Sequence, residues 1–343
     1  MKLYCNASNM HVGGGKTLIM DFINEAINKN HINFVVYIDK RLFFSKKIPK
    51  HIKIIPINKF LRFTLIFYLF FKLKKEDVIV FLGNLPPIIS LRCWSLLLQS
   101  NRFLIEDVST KGMKLKVRAK IFFERMLFQF FKTNVDEIVV QSNTMKKILD
   151  SRTNSQIKCS IIAYKNFFLK TNEIEEKKYD FIYIASDENY KNHDNLLKAW
   201  IYLYNEKIYP SLCLVVPKNS YIKEKVNILT KQYNNLKIYV FDNNHRNIAV
   251  TKLKHSRTLV YPSKFEAYGL PIVEAYMNNL KIVASEKDYV RDLLDPDETF
   301  DPESSTSIYR AIKRFLNKSD EKTHIVDASF FIDFIASKGK LII

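Results

Sequence analysis

The chain has 343 residues, 47% of them hydrophobic and 13% aromatic, with 54 Lys and Arg set against 35 Asp and Glu for a formal net charge of +19. This length and apolar content exclude a disordered chain and predict about two domains, each able to bury its own core. The charge predicts attraction to polyanions, whether anionic lipid, nucleic acid or phosphorylated substrates.

Short apolar runs alternate with longer stretches at helical spacing, the pattern of a parallel α/β sheet. In the first half, strands are expected at Lys2 to Asn6, Asn33 to Ile38, Lys53 to Ile57, Asp77 to Leu82, Arg102 to Ile105 and Glu137 to Val140. After the first of these, Leu18, Ile19, Phe22, Ile23, Ala26 and Ile27 form a stripe suited to facing a sheet. Lys59 to Lys75 is apolar with basic ends, and its apolar part falls far short of the ~20 residues of a spanning helix. Lys114 to Lys132 mixes six basic residues with apolar ones, Phe122, Phe123, Phe130 and Phe131 among them. Each stretch fits both an internal helix with basic edges and a helix lying on an anionic membrane, because the two share an apolar face.

The pattern restarts with strands at Tyr179 to Ala185, Leu212 to Val216, Leu236 to Phe241, Thr258 to Tyr261 and Lys281 to Ala284. Between the halves, residues 169–178 are charged and lack an apolar period, which reads as a linker. The fold class expected is therefore α/β, two Rossmann-like doubly wound domains facing across a cleft. The first spans residues 1–168 and the second 179–326. Residues 327–343 make a short C-terminal helix, with Phe330, Phe331, Phe334 and Ile335 at helical spacing. Ligands of such sheets bind at the carboxyl ends of the strands, so two facing sheets place them in the cleft.

Four cysteines, Cys5, Cys93, Cys159 and Cys213, stand far apart without C-x-x-C spacing and are expected to be reduced core residues of a cytosolic protein. The opening Met1-Lys2-Leu3-Tyr4-Cys5-Asn6 lacks the apolar core of a signal peptide, so no export is expected. Seven scattered histidines show no H-x-x-x-H or H-E pairing, and no metal site is expected. Asp295-Pro296-Asp297 mimics an acidic metal motif but sits among further acids and reads as a loop.

The sharpest functional signal is Ser263-Lys264-Phe265-Glu266-Ala267-Tyr268-Gly269-Leu270-Pro271-Ile272-Val273-Glu274-Ala275. Pro271 suits a first helical turn and Gly269 lets the backbone approach a ligand. The amides of Tyr268, Gly269 and Leu270 should then point at an anion, which the helix dipole also favours. Glu274 would stand one turn further in, where a carboxylate beside a phosphate has work if it accepts hydrogen bonds from sugar hydroxyls. Solvated acids on an ordinary strand, turn and helix are the plainer alternative.

This segment resembles the E-x7-E signature of the retaining GT-B glycosyltransferases, in particular family 4. The resemblance implies that Glu274 holds the nucleotide ribose and that Glu266, with Ala267 beside it, contacts the transferred sugar. Two other stretches are similar to that family. Gly13-Gly14-Gly15-Lys16-Thr17 would need a glycine at Met10 to be a nucleotide triphosphate loop. Asn6 to Gly15 resembles instead the glycine-rich first loop of these transferases, which implies backbone approach of the donor diphosphate at Gly14 and Gly15. Tyr190-Lys191-Asn192-His193-Asp194 resembles their phosphate-neutralising segment, with Lys191 as the cation. The Arg that often precedes that Lys in the family has no counterpart in Ser186 to Tyr190. His193 reads as an N-terminal helix residue and Asn192 as its cap.

The resemblance also implies that the first domain, residues 1–168, binds the acceptor and the second, residues 179–326, the nucleotide sugar; Asp107, expected at the end of a first-domain strand, is a candidate for the acceptor side. The resemblance implies a cytoplasmic enzyme at the inner face of the plasma membrane, without a cofactor or metal, moving a hexosyl-type sugar with retention from a nucleotide diphosphate to a lipid-linked or surface polysaccharide precursor. A nonhydrolysing epimerase or phosphorylase of similar architecture remains a rival reading. So does a nucleic-acid-binding protein, which would need basic residues interleaved with exposed aromatics on one face; no nucleic-acid partner is expected.

Overall fold

The first strand, β1 (Leu3–Ala7), lies between β2 (Phe34–Asp39) and β4 (Val78–Phe81), with Cys5 opposite Val36 on one side and Val80 on the other. β3 (Ile52–Ile57) extends the sheet beyond β2, and β5 (Trp94–Leu98), β6 (Glu137–Val140) and β7 (Lys158–Ile161) extend it beyond β4. Every pairing is parallel, so each strand needs a crossover, and near-continuous apolar runs are the consequence of covering both faces. The computed structural model describes residues 1–11, 13–42, 48–111, 113–153, 156–163, 176–243 and 246–318.

The crossover segments of this first half are α1 (Gly13–Ile27), α2 (Leu61–Lys72), α3 (Arg102–Ile105), α4 (Leu115–Phe131) and α5 (Asn143–Thr153). The stripe expected on α1 is buried at Leu18, Ile19, Ile23 and Ala26 against Val36, Ile38 and Val139. Opposite it, Leu65, Ile66 and Leu69 of α2 and Phe128 of α4 pack with Ile79, Leu97 and Ile138.

The second sheet is built from β8 (Tyr179–Ile184), β9 (Leu212–Val216), β10 (Ile238–Asp242), β11 (Ser256–Tyr261), β12 (Lys281–Ser285) and β13 (Glu298–Phe300), again all parallel. Its helices are α6 (His193–Asn205), α7 (Ile222–Gln232), α8 (Arg246–Lys254), α9 (Leu270–Met277), α10 (Asp288–Arg291) and α11 (Ser305–Phe315). Trp200 of α6 is fully buried against Phe181 and donates its indole N–H to Pro210 O at 3.0 Å, so the largest core side chain carries no unpaired polar atom.

Strand order fixes where ligands can sit. The sheets run β3-β2-β1-β4-β5-β6-β7 and β10-β9-β8-β11-β12-β13. In both, the order reverses beside the first strand, between β1 and β4 and between β8 and β11. A crevice opens at the carboxyl ends of strands at such a reversal. In the first sheet it is closed over by Asn9, whose side-chain amide donates to Gly83 O at 3.0 Å. A Cβ on Gly83 would lie 2.1 Å from the Asn9 amide oxygen, so any other residue at 83 would displace the Asn9 side chain from this bond.

Two expectations are corrected. Arg102 to Ile105 is the short helix α3, because the Asn101 side chain accepts from the Phe103 amide and starts a turn where apolar residues alone suggested a strand. Asp107 therefore ends no strand. The strand of that region is β5, at Trp94–Leu98, fixed by pairing with β4 and β6. Residues 169–175 of the expected linker and the expected C-terminal helix at 327–343 lie outside the described residues.

Candidate active site

Lys191 stands at the carboxyl end of the β8 crossover and Glu266 at that of β11, the two strands flanking the order reversal. The structure brings them together: Lys191 Nζ donates to Glu266 Oε1 at 2.6 Å, with the side chains 14% and 13% exposed. At this burial less water screens the attraction between the two charges, and each charge depends on its partner because it has given up hydration. The loops bearing them are tied as well, with Lys264 N–H donating to Tyr190 O at 2.7 Å.

Beneath this pair lie three buried tyrosines, each committing its hydroxyl to one part of the site. Tyr261 donates to Glu266 Oε1 at 2.9 Å, Tyr183 to Lys191 O at 2.7 Å and Tyr289 to Ser263 O at 2.7 Å. Their rings meet edge to face, Tyr183 on Tyr261 at 5.6 Å and Tyr261 on Tyr289 at 6.2 Å. Burial, and next the negative charge of Glu266, push all three phenols well above the ordinary tyrosine range. They stay neutral donors at any physiological pH. Interior packing thus fixes the rotamers of the pair, as a preorganised site requires.

Past Glu266, Ala267 packs on the apolar core of the first half and Tyr268 is buried. Gly269 then turns the chain at φ +77° into α9, with Pro271 in the first turn. A side chain at residue 269 would be strained by that φ and would bring a Cβ 3.1 Å from Ile272 Cδ1. The first bonded amide of α9 is that of Ile272, to Gly269 O at 2.9 Å. The amides ahead of it have no acceptor within the helix, as at every helix start, and they precede a positive dipole end. Glu274 is buried one turn in.

The other expected residues stand elsewhere or differently. Gly14 and Gly15 lie in the first turn of α1; a Cβ on Gly15 would come 3.2 Å from Met10 Cε, whereas one on Gly14 would meet nothing within 4 Å. Asn192 precedes α6 but does not cap it. It adopts a left-handed φ of 64° and its side-chain amide donates to Pro262 O and Pro302 O, pinning the β8, β11 and β13 loops to one another. His193 begins α6, buried, with Nε2 at 2.8 Å from Ser186 O. Facing a carbonyl, that nitrogen carries the proton and the ring is neutral; burial holds its pKa below the ordinary imidazole value.

Asp107 is exposed and pairs with Arg125 at 3.1 Å and Arg152 at 2.7 Å. Asp295 pairs with Arg291 and Asp297 with Lys281, each at 2.8 Å. Among the described residues no group of three or more His, Cys, Asp or Glu is placed to hold a metal ion.

The first half reaches the site through α3. Arg102 bonds Asp288 twice, at 2.9 and 2.7 Å, donates to Glu266 O at 3.2 Å, and is itself held by Glu106. Its guanidinium lies over the Phe265 ring at 4.9 Å, and Phe103 packs on the same ring at 4.5 Å. Thr144 N–H adds a bond to Asp292 Oδ2 at 2.8 Å. The contacts between the two halves show no sequence signature, because Arg102 and Glu266 are 164 residues apart.

Two facing doubly wound sheets with the site at the second sheet's reversal define a class: the fold is that of the GT-B glycosyltransferases. Residues 165–329 match the family model described as Glycosyl transferases group 1, so the chain carries a domain of that family. Among solved structures it is similar to a sucrose-phosphate synthase from Thermosynechococcus elongatus, at 13% identity, 92% of this chain and 90% of that one, and a TM-score of 0.66. It is similar also to an E. coli structure described as trehalose-6-phosphate bound with UDP-2-fluoro glucose, at 9% identity, 93% and 92% coverage, and a TM-score of 0.62. A third is the lipopolysaccharide outer core galactosyltransferase WaaB in its apo form, at 16% identity, 92% and 90% coverage, and a TM-score of 0.59. No curated protein matches the sequence.

Proposed function

We propose that the chain is a metal-independent glycosyltransferase moving a hexosyl-type sugar, with retention, from a nucleotide-diphosphate donor to a hydroxyl of a lipid-linked or surface polysaccharide precursor. The observation that carries this reading is the Lys191–Glu266 pair set beside the start of α9. The donor diphosphate lies on the amides of Tyr268, Gly269 and Leu270, the ribose on Glu274, and the sugar against Glu266 and Ala267. A diphosphate arriving there competes with Glu266 for the Lys191 ammonium and frees the carboxylate to accept from sugar hydroxyls. As the glycosidic bond to phosphate breaks, negative charge grows on the leaving oxygen, and a fixed ammonium stabilises that state more than the bound substrate. Gly14 and Gly15 approach the diphosphate from the first domain. The neighbour bound with UDP-2-fluoro glucose supports a nucleotide-sugar donor.

Among the described residues every exposed phenylalanine lies on, or immediately before, one of two helices, and such a clustered apolar surface suits a membrane better than the base-stacking face of a nucleic-acid site. On α2, Phe63 and Phe71 are 78% and 80% exposed, and Phe60, Phe67 and Tyr68 are exposed beside them. On α4, Leu115, Phe122, Phe123 and Phe130 are exposed. Both helices pack inward on other residues, Leu65, Ile66 and Leu69 for α2 and Ile121 and Phe128 for α4. They are thus internal on one face and apolar on the other. No helix among the described residues is long and apolar enough to cross a membrane. We assign these outer faces to an anionic membrane, at the inner face of the plasma membrane, with the basic residues of both helices on the headgroups.

Lys191→Ala and Glu266→Gln should each lower kcat by about 10²–10³-fold, the usual cost of removing one charge-stabilising group, with an unchanged circular-dichroism spectrum. Full activity in both folded variants rejects the assignment.

A further inference from the structure

Asp39 ends β2 at the carboxyl edge of the first sheet, its carboxylate almost wholly buried. Arg41 binds it with its backbone amide at 2.9 Å, Nε at 2.8 Å and Nη2 at 2.6 Å, and Arg62, in the first turn of α2, binds the same Oδ2. His11, from the loop after β1, brings Nδ1 to 3.5 Å from that oxygen. The Arg41 bonds hold the Asp39 carboxyl well below the usual carboxylate range, so it remains charged and all its lone pairs are spent on these groups.

The cluster is over-supplied with positive charge. One carboxylate faces two guanidiniums, leaving at least one unit of excess whatever the imidazole carries. Two like charges converging on one oxygen repel each other, and a purely structural pair would need only one of them. The polar atoms are not all satisfied either: Arg62 Nε is buried without a hydrogen-bond partner among the described residues, and so is His11 Nδ1, which comes no closer to Asp39 than 3.5 Å. Such orphans call for an explanation, and a bound anion is one. Arg41 is about half exposed, so the cluster opens to solvent. It lies where the ends of β1, β2 and β3 meet, the ligand-binding edge of an α/β sheet, and α2, which carries Arg62, also carries the exposed Phe63, Phe67 and Phe71.

We propose that Arg41, Arg62 and His11, organised by Asp39, form a binding site for a phosphate or diphosphate group on the acceptor. This rests on the reading that the first domain receives the acceptor. Two sources carry that chemistry: a lipid phosphate reaching the site along α2, and a soluble phosphorylated sugar. The bidentate fork of arginine suits either, as phosphate recognition favours Arg over Lys.

The test is calorimetric titration of inorganic phosphate and pyrophosphate into the full chain carrying Lys191→Ala, which removes the donor-side cation. Binding should persist in that background and weaken about tenfold on adding Arg41→Gln or Arg62→Gln, the scale of one charge-assisted hydrogen bond. Arg62→Lys, which keeps the charge on Asp39, controls for folding and should restore part of the binding. Vesicles of phosphatidylcholine with and without phosphatidic acid separate the sources. Displacement of pyrophosphate by phosphatidic acid vesicles alone assigns the site to lipid phosphate, and its absence assigns it to a soluble acceptor. Equal phosphate affinity in folded Arg41→Gln and Arg62→Gln, or no binding in the Lys191→Ala background, overturns the proposal. Loss of nucleotide binding is not read in this experiment, so the donor-site reading stands or falls separately.

Discussion

At the scale of single residues, His193 shows how a side chain near the site can matter without touching substrate. Its ring is buried at the start of α6, Nε2 donates to Ser186 O at 2.8 Å, and Nδ1 is buried with no hydrogen-bond partner among the described residues. Burial lowers its pKa, so below the ordinary imidazole range the unfolded chain binds a proton that the folded chain refuses. Stability therefore rises with pH through that window and is lost as pH falls below about 6.5. Urea titrations at successive pH values should show this slope in the wild type and a shallower one in His193→Asn. Identical slopes would remove His193 from the account. The same scale shows what the sequence makes legible. The motif around Glu266 announces itself through Gly269 and Pro271, because both residues have conformational reasons to be where they are. The tyrosines under the site give no such signal: Tyr183 and Tyr261 look like any other core strand aromatic until their hydroxyls bond the loops that follow their own strands, and Tyr289 lies in the short α10. For the same reason Asn192 reads as a cap in sequence, yet its amide is spent on carbonyls 70 and 110 residues away.

The element on which the site depends most is the turn into α9. Gly269→Ala combines a left-handed backbone, costing a non-glycine residue roughly 1–2 kcal/mol, with a Cβ contact at 3.1 Å to Ile272 that the fully buried isoleucine can relieve only by shifting the helix start. The variant should lose about that much stability in urea titration and bind nucleotide more weakly; wild-type stability and affinity would show that the turn tolerates another geometry. Elements with their own pattern were readable: the strands at Glu137–Val140 and Leu212–Val216 match their apolar runs. Elements set by their neighbours were not. Arg102–Ile105 is apolar enough for a strand but Asn101 caps it into a helix, while Leu-rich Trp94–Leu98 is a strand because β4 and β6 offer it two ladders. Glu298–Phe300, three residues long, is a strand only through β12.

For the whole molecule, the proposed membrane contact joins the net charge of +19 to the outward-facing aromatic residues of α2 and α4. Burying one Phe side chain contributes about 1.5–3 kcal/mol, so Phe63→Ser with Phe71→Ser should weaken binding to anionic vesicles by at least roughly tenfold per residue. Raising the salt from about 0.1 M to 1 M shortens the screening length from ~10 Å to ~3 Å and should remove most of the remaining attraction. Vesicle flotation checks both, and binding indifferent to phenylalanine and to salt would place the membrane contact elsewhere. The two halves are also coupled, since Arg102 holds both Asp288 and the Glu266 carbonyl while Ala267 packs on the first core. Any motion of the first domain relative to the second is thereby felt at the segment that carries Glu266, the acid proposed for the donor site.

In the proposed function a nucleoside diphosphate is held between Lys191, the amides preceding Pro271, and Glu274. Calorimetric titration of UDP, GDP, ADP, CMP and dTDP into the wild type, Lys191→Ala and Glu274→Ala tests it most directly. One of the diphosphates should bind the wild type, and each substitution should weaken that binding by about tenfold or more, the scale of a charge-assisted hydrogen bond. A nucleotide bound equally well by all three proteins, or none bound by the wild type, would contradict it.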